Sequence, residues 1–518
     1  MSADSRAPLD PRPAHVRPVA LSVLADLLGV ARPRTGVDVS GVSLRSQEVR
    51  HADLYAALPG ASTHGARFAA EAVAGGATAI LTDPEGRDLV RGAGPPVGEL
   101  PVLVVVDPRS RLGDVAARVY DHPAERLTTV GITGTQGKTT CTYLAESALR
   151  AAGANPGVVG TIGTRIAGRE VASALTTPEA PQLHALFGVM VDNGVDACAM
   201  EVSSHALVKG RVDGVVFDVA TFLNLGRDHL DFHADMEDYF DAKARLFEPG
   251  HARHAVVNVD DAHGRRLLAR TALPATTFSA TGAPADWRVV ESDAGPLGST
   301  VRVAGPDRVE LDVRIPLAGD FNVANALAVI SALATAGYDP VDLAAGIASC
   351  PGVPGRMERV EEGQEFTALV DYAHKPDALE AVLGALRPVT RGRIVLVVGA
   401  GGDRDTGKRP IMGQVAARWC DVVVVTDDNP RTEDPAEIRA EVLAGARAAA
   451  RPGTELVEVA GRRDAIGYAV DLARAGDVVV VAGKGHERGQ VVNGIVHPFD
   501  DRDVLRSAIA ARGGAGAR

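Results

Sequence analysis

The chain has 518 residues, of which 46% are hydrophobic and 23% charged, and its net charge is −12. That length predicts three or four domains with full cores, and an acidic balance with no long basic run argues against a duplex nucleic-acid partner. Cys141, Cys198, Cys350 and Cys420 stand far apart with no C-x-x-C, which speaks against a disulfide framework or a zinc site and fits a reducing compartment. No run approaches the length of a membrane span, so a cytoplasmic protein without a membrane partner is expected.

Residues 1–18 carry Pro, Arg and Asp but no apolar core, and they predict a disordered tail rather than a signal peptide. Residues 19–126 have a small α/β pattern, with helices at 21–28 and 66–74 and strands at 53–58, 77–82 and 102–106. No catalytic pattern belongs to this stretch alone. Residues 121–126 read as a linker into a second domain.

At 127–150 a β-branched apolar run, a glycine-rich loop and a helical apolar period follow one another. The loop is Gly131-Ile132-Thr133-Gly134-Thr135-Gln136-Gly137-Lys138-Thr139-Thr140. Its glycines let backbone N–H groups turn toward one point, and the helix N-terminus adds positive potential there. Lys138 supplies a mobile charge and Thr139 a hydroxyl for a metal, as a loop holding a nucleoside triphosphate with Mg²⁺ requires. The strict G-x-x-x-x-G-K spacing fails because residue 132 is isoleucine. It occurs instead at Gly402-Asp-Arg-Asp-Thr-Gly407-Lys408, where Arg409 replaces the Ser or Thr a metal needs. Strand, glycines, lysine and paired threonines agree only at the first loop, which is preferred over its alternative, an ordinary glycine-rich turn capped by Thr139. Each cysteine reads as a small buried apolar residue, yet Cys141 adjoins the loop closely enough that its alkylation is expected to obstruct ATP.

Strands at 196–200 and 217–223 run into Glu201-Val-Ser-Ser-His205 and Asn224-Leu-Gly-Arg-Asp-His229-Leu-Asp231. Ligands of a parallel sheet gather beyond the carboxyl ends of its strands, so both clusters fall on the edge that carries Lys138. Glu201 and His229 are metal-capable; equally, Glu201 caps a turn and His229 is a structural histidine. A helix at 235–248 carries Lys243, on composition a solvated surface lysine. Gly319-Asp-Phe-Asn322 opens a long Ala-rich helix whose Asn325 either reads a base edge or caps.

After Pro351-Gly352-Val353-Pro354-Gly355 the pattern restarts. Strands at 368–371, 393–398, 421–426 and 477–481 alternate with helices at 376–386 and 412–419, the signature of a doubly wound, mostly parallel sheet. Polar residues again crowd the strand ends. Arg404 and Arg431 either fork onto a carboxylate together or lie as surface arginines on loops. The expected fold is therefore α/β in three domains. A small α/β N-terminal domain spans 19–126, a central parallel-sheet, ATPase-like domain with the phosphate loop spans 127–352, and a Rossmann-like C-terminal domain spans 353–518.

These clusters, in this order, resemble the Mur ligases of peptidoglycan synthesis, over nearly the whole chain after Val19. Thr133-Gly-Thr-Gln-Gly-Lys-Thr-Thr140 is similar to the family's T-G-T-N-G-K-T-T. Glu201-Val-Ser-Ser-His205, Asp228-His-Leu-Asp231, Gly319-Asp-Phe-Asn322 and Asp371-Tyr-Ala-His374 are similar to family-wide motifs. Gly401-Gly-Asp-Arg-Asp405 is more specific, Asp428-Asn-Pro-Arg431 is the motif of diaminopimelate-adding members, and Gly483-Lys-Gly-His-Glu487 completes the set.

The resemblance implies roles residue by residue. Gly134, Thr135, Gln136, Gly137, Lys138, Thr139 and Thr140 would bind the ATP phosphates, with Thr139, Glu201 and His229 at magnesium ions. Lys243 falls where the family carries a carbamylated lysine, an anion able to organise magnesium, against the surface reading above. Asn325, Arg356 and Asp371 look like nucleotide contacts. Thr176, Thr177, Ser203, Lys209 and Arg211 match positions holding the muramoyl dipeptide, and Ser46, Ala61, Ser62 and Thr63 match uridine-nucleotide contacts. Arg404, Asp428, Asn429, Pro430, Arg431, Gly485 and Glu487 match the pocket for the incoming diamino acid. Three positions depart from the family pattern: Leu44-Arg45-Ser46 stands for D-S-R, Lys209 for glutamine and Gln136 for asparagine.

The implied activity is an ATP-dependent amide ligase with small-molecule substrates, a UDP-muramoyl dipeptide and diaminopimelate, acting as a monomer. Lys138, Lys243, Glu201 and His229 would serve the phosphoryl-transfer step, and no side-chain nucleophile is needed. Two alternatives stay open: a Mur-type ligase for another amino acid or acceptor, and a nucleotide-binding relative without ligase activity. The meso and LL isomers of diaminopimelate are both compatible with Asp428-Asn-Pro-Arg431.

Overall fold

Ile394–Val398, Val422–Val425 and Val478–Ala482 are near-continuous apolar runs with no polar alternation. Such runs belong to strands buried on both faces, in a parallel sheet covered by helices. In the computed structural model, which describes residues 9–171, 175–295 and 298–515, Ile394–Val398 lies parallel between the other two. Every residue of the three strands is buried.

By its internal packing the chain divides into two units. One comprises Met1–Ser279, Ala285–Trp287 and Ala328–Gly346; the other comprises Ala280–Pro284, Arg288–Leu327 and Ile347–Arg518. The expected N-terminal domain thus lies in the same unit as most of the central one.

In the first unit, Gly41–Ser43, Asp53–Ala56, Ala77–Thr82 and Val102–Val104 form a parallel sheet in that order. A second sheet runs Arg169–Val171, Gly163–Ile166, Pro156–Gly160, Ala197–Glu201, Thr128–Thr133, Phe217–Phe222, Ala252–Asn258, Ala275–Ser279. Its strands from Pro156–Gly160 onward are parallel, and the two outermost are antiparallel additions. Thr128–Thr133 is flanked by Ala197–Glu201 and Phe217–Phe222, so the three strand ends bearing polar clusters emerge side by side. The helix Lys138–Ala151 buries Cys141, Leu144, Ala145, Ala148 and Leu149, the stripe expected of helical spacing.

In the second unit, Gly298–Ala304 and Glu310–Ile315 pair antiparallel, the latter alternating exposed and buried residues. The main sheet runs Glu358–Arg359, Thr367–Asp371, Val478–Ala482, Ile394–Val398, Val422–Val425, Glu455–Glu458, antiparallel only at its first pair. This is the doubly wound arrangement the alternation predicted.

Several boundaries differ from expectation. The helix expected at 412–419 begins at Lys408, because Pro410 sits in the first turn, where a missing N–H costs nothing. The segment 66–74 divides into a 3-10 turn, Gly65–Phe68, and the helix Ala69–Ala74, since His64 Nδ1 accepts from Ala66 N and tightens the entry. The helix at 235–248 spans Met236–Ala244 and ends in a 3-10 turn, Arg245–Phe247. The hairpin Gly489–Val492 with Ile495–Pro498 was not anticipated, although Asn493-Gly494, both at positive φ, is the strongest short hairpin signal.

The disorder expected over 1–18 does not hold for residues 9–18. Residues 1–8 lie outside the described residues, but Arg12 pairs with Asp53 at 2.6 Å, Arg50 with Asp10 at 2.9 Å, and Leu9 packs against the first unit's core. Charge pairing holds this segment, which an apolar-core criterion overlooks. Among the described residues no helix is long and apolar enough to cross a membrane.

Candidate active site

The glycine-rich loop joins Thr128–Thr133 to Lys138–Ala151, with Gly137 in the left-handed region at φ 88°. Lys138 folds back over it, its Nζ donating to Gly134 O at 2.7 Å and Thr135 O at 3.1 Å. Asn224, just past Phe217–Phe222, braces the loop from outside. Its Oδ1 accepts from Thr135 N at 3.1 Å and Gln136 N at 3.0 Å, and its Nδ2 donates to Gln136 O at 3.3 Å. Thr135 Oγ1 adds contacts to Gly226 N at 2.9 Å and Tyr239 OH at 3.2 Å. The loop is therefore braced by Asn224, Gly226 and Tyr239.

Lys243 is the largest departure from the composition-based reading. Only 1% exposed, it points inward from Met236–Ala244; its Nζ donates to Gly134 O at 3.0 Å and lies 4.6 Å from the Tyr239 ring centre. Two lysines thus share one carbonyl oxygen. Burial, and secondarily the charge of Lys138, hold the Lys243 ammonium well below its ordinary pKa, with Asp228 opposing.

Glu201 ends its strand buried, its carboxylate accepting from Thr161 N at 2.8 Å and Thr161 Oγ1 at 3.1 Å. Gly160 is required beside it, for a Cβ there would stand 2.4 Å from Glu201 Oε1. Thr161 also reaches Thr176, hydroxyl to hydroxyl, at 3.0 Å. Thr177, fully buried, donates to Glu201 O at 2.8 Å, while Ser203 Oγ caps the next helix at Ala206 N. Carboxylate and dipeptide-matching residues therefore form one hydrogen-bonded group. His229 sits at φ 54°, its Nε2 3.4 Å from Asp228 Oδ2 and its ring 4.8 Å from His205. Among the described residues no three His, Cys, Asp or Glu side chains converge as a metal cluster.

Cys141 is the small buried residue expected: it lies within the buried stripe of its helix with no exposure, and burial pushes its thiol pKa far up, so neither access nor thiolate character favours its alkylation.

A cleft of about 1230 Å³ in the first unit is lined by Ser46, Thr63, Arg109, Glu179 and Arg211, among others. Arg211 Nε donates to Glu179 Oε1 at 2.8 Å and Arg109 Nη1 to Glu179 Oε2 at 3.2 Å. Ser46 donates to Glu71 at 2.6 Å. Leu44 and Arg45 line this cleft too, whereas Ala61 and Ser62 are exposed outside its lining. Lys209 stands 5.8 Å from the Phe232 ring centre.

The second unit carries its own polar edge. Asp371 ends Thr367–Asp371 buried, accepting from Met357 N at 2.7 Å and Ala373 N at 2.8 Å. Burial raises its carboxyl pKa against the pull of Arg356, whose guanidinium lies 4.6 Å from the Tyr372 ring centre. Asn325 Nδ2 donates to Asn322 Oδ1 at 3.1 Å. At Asp428-Asn-Pro-Arg431, Asn429 Oδ1 accepts from Lys484 Nζ and Val491 N, both at 3.0 Å, and its Nδ2 donates to Glu487 Oε2 at 3.0 Å. Asp428 Oδ1 is buried with no hydrogen-bond donor, Lys484 Nζ being 3.6 Å away. Such an orphaned acceptor suits a ligand ammonium. Arg431, at φ 53°, donates to Gly402 O at 2.6 Å. Arg404 is exposed on the neighbouring loop, beside Asp403, whose carboxylate is held below its ordinary pKa by hydrogen bonds from Thr432 and, less, by the charges of Arg431 and Arg404. Pro430 and Gly485 shape close backbone approaches: a Cβ on Gly402 would stand 2.0 Å from Pro430 O, and one on Gly485 2.7 Å from Gly355 O.

Sequence reading left Asn224, Thr161, Tyr239 and Lys484 without roles. Lys484 carried the clearest signal, a lone lysine between glycines at a strand end.

Three family descriptions match the chain: "Mur ligase family, catalytic domain" over residues 38–120, "Mur ligase middle domain" over 132–333 and "Mur ligase, glutamate ligase domain" over 355–485. A UDP-N-acetylmuramoyl-L-alanyl-D-glutamate–2,6-diaminopimelate ligase of Streptomyces avermitilis is 54% identical, over 97% of this chain and 98% of its own. One of Corynebacterium glutamicum is 48% identical over 92% of each. A solved structure of a ligase with that name is 34% identical, with TM-score 0.71 over 96% of this chain and all of its own. The MurF ligase of Thermotoga maritima in complex with ADP shares the fold at 19% identity, TM-score 0.60, over 91% of this chain and 96% of its own. With matches over most of its length, the chain belongs to the Mur ligase family.

Proposed function

We propose that this chain is the ATP-dependent ligase that joins diaminopimelate to the D-glutamate side-chain carboxylate of UDP-N-acetylmuramoyl-L-alanyl-D-glutamate, in peptidoglycan precursor synthesis. The observation that carries the reading is the meeting of Lys138 and Lys243 on Gly134 O at the phosphate loop. A glycine-rich cradle with the Lys138 ammonium and a helix N-terminus suits an anion, and burial beside that charge holds Lys243 toward its neutral amine. The names borne by its relatives at 54% and 48% identity specify acceptor and amino acid.

The loop amides and Lys138 hold the β- and γ-phosphates of ATP. The acceptor carboxylate attacks the γ-phosphorus; the bond to the β-phosphate oxygen breaks, leaving ADP and an acyl phosphate. Positioning and charge stabilisation carry this step. A neutral amine of diaminopimelate then attacks the acyl carbon, and the tetrahedral adduct breaks its bond to the phosphate oxygen, so that inorganic phosphate leaves with the amine's proton as the amide forms. Arg404 and Arg431 hold the diamino acid's carboxylate, and Asp428 and Glu487 its ammonium.

The donor chemistry fits Mg²⁺, which favours one or two carboxylates together with hydroxyl and phosphate oxygens. Thr139 and Glu201 would hold it, with His229 beside them, and it would neutralise charge on the phosphate oxygens. Lys243 joins them as a carbamate: its neutral amine adds to CO₂ and loses a proton, turning a cation beside Lys138 into an anion. Its lowered pKa supports this, since only the neutral amine reacts. Nucleotide-linked, small-molecule substrates suit a cytoplasmic, monomeric enzyme.

Phosphate release by the purified chain with ATP, Mg²⁺ and the UDP-muramoyl dipeptide tests the proposal, with meso-diaminopimelate, LL-diaminopimelate and L-lysine compared. Release that depends on one diaminopimelate isomer is expected. Release with lysine alone would overturn the amino-acid assignment, and none with any would overturn the ligase reading.

A further inference from the structure

The segment Gly402-Asp-Arg-Asp-Thr-Gly407-Lys408-Arg409 imitates a phosphate loop in sequence, but its residues are spent otherwise. Lys408 Nζ donates to His374 O at 3.0 Å, and Arg409, in the first turn of Lys408–Trp419, is 1% exposed. A buried guanidinium is retained only where acceptors surround it. Arg409 Nη2 donates to both oxygens of Glu433, at 2.9 and 2.8 Å, and to Gly401 O at 3.3 Å; Nη1 reaches Glu441 at 3.4 Å.

Glu433 is the junction. Its Oε1 also accepts from Asp403 N. Asp403, left-handed at φ 51°, accepts from Thr432 N at 3.2 Å and Thr432 Oγ1 at 2.7 Å. Gly402 N donates to Asn429 O at 2.9 Å, and Arg431 Nη1 donates to Gly402 O at 2.6 Å. Two loops, 401–405 and 428–433, are thereby zipped edge to edge over a buried arginine. One carries Arg404 beside Asp403, the other Arg431 two residues before Glu433.

We infer that Arg409, through Glu433, is a positioning residue that fixes against each other the two loops carrying Arg404 and Arg431, the pair proposed to hold a diamino acid's carboxylate. The inference rests on the proposed function for the identity of that ligand. A merely structural role would be to staple Lys408–Trp419 to Pro435–Ala449, which already pack backbone to backbone: a Cβ on Gly413 would stand 1.9 Å from Val442 O. Stapling alone would lower thermal stability and leave amino-acid affinity unmoved.

Steady-state kinetics on the full chain separates the two. Glu433→Gln, at a partly exposed position, keeps the fold testable even if Arg409→Met does not. The expected result is a rise of about tenfold or more in KM for diaminopimelate, with the KM values for ATP and the UDP-muramoyl dipeptide within about twofold. Arg409→Lys should recover part of the affinity lost in Arg409→Met, because one charge but not the fork is restored. Borohydride trapping of the acyl phosphate, formed without diaminopimelate, should be unchanged. Equal rises in all three KM values, or a lowered unfolding temperature with KM unchanged, would overturn the inference. Calorimetric titration of meso- and LL-diaminopimelate into wild type and Glu433→Gln distinguishes the two layers. Weakened binding in the variant of a chain that releases no phosphate would retain this inference and remove the ligase reading. No binding to wild type would remove both.

Discussion

Each unit sets a buried lysine and an asparagine at the polar edge of a parallel sheet, and the two pairs are finished oppositely. Lys484 meets Asn429 Oδ1 and Glu487 Oε2, both at 3.0 Å, with Asp428 nearby. Lys243 meets one carbonyl, which it shares with Lys138. Asn429 spends its oxygen on a lysine and a strand amide, whereas Asn224 spends its oxygen on two loop amides. The edge around Asn429 pairs its cation with a carboxylate inside the protein. The edge around Asn224 gathers the Lys138 charge and oriented amides that an incoming anion completes. Burial therefore does not decide what a lysine does; its partners do.

Removing each lysine tests that contrast. Lys484→Met should be the costlier for the fold, because Glu487 and Asn429 lose a shared donor and Asp428 loses a nearby positive charge. Removing one partner of a buried pair costs about 3–5 kcal/mol, and the part exposure of Glu487 places this variant near the lower figure. Urea unfolding measures it, and an unchanged midpoint would mean that the three acceptors do not depend on the lysine.

Lys243→Met should do the reverse, losing about 100-fold or more in kcat while leaving the fold as stable or more so. The sign follows from its lowered folded pKa. Between that value and 10.5 the unfolded chain binds more protons than the folded one, so wild-type stability rises with pH through this window. The penalty is complete below the folded pKa and gone above 10.5. The methionine variant should lack this slope, and the stability gap between the two proteins should close as pH rises. A gap independent of pH would mean that Lys243 is not held neutral by its surroundings. Loss of a carbonyl-labelled bicarbonate signal in the variant, with wild type showing one, would tie the lost activity to the carbamate.

Much of this was readable from residue order, for physical reasons that also mark where reading stopped. Valine runs such as Val422–Val425 announce two-sided burial without any knowledge of neighbours, and glycine-rich turns between strand and helix announce a ligand edge. Lys243 was misread from composition because charge outweighed position. Tyr239 and Phe240 precede it by four and three residues, so helical spacing puts it on an aromatic face. Cys141 shows the converse: its spacing with Leu144, Ala145 and Ala148 puts it in the core, as its apolar character predicts, despite its place beside the loop. Arg409 was noticed only as a flaw in a pattern. Its value comes from Glu433, 24 residues on, a pairing no local rule exposes. Ala61 and Ser62 came from the resemblance alone, and the cleft is lined by their neighbour Thr63 instead.

The smallest predicted effect sharpens the comparison most. Asn224→Ala removes an acceptor from Thr135 N and Gln136 N and a donor to Gln136 O. Thr135 keeps its bonds to Gly226 and Tyr239, so the loop should loosen rather than collapse. Each lost hydrogen bond is worth about 1 kcal/mol net, and the freed amides regain part of it from water or phosphate. A rise of about tenfold in KM for ATP follows, with KM for diaminopimelate unchanged. Asn429→Ala should show the mirror image, because its amide organises Lys484 and Glu487. If Asn224→Ala instead raised both KM values together, the two edges would be energetically one site, and the opposition between a self-paired edge and an anion-seeking one would not hold.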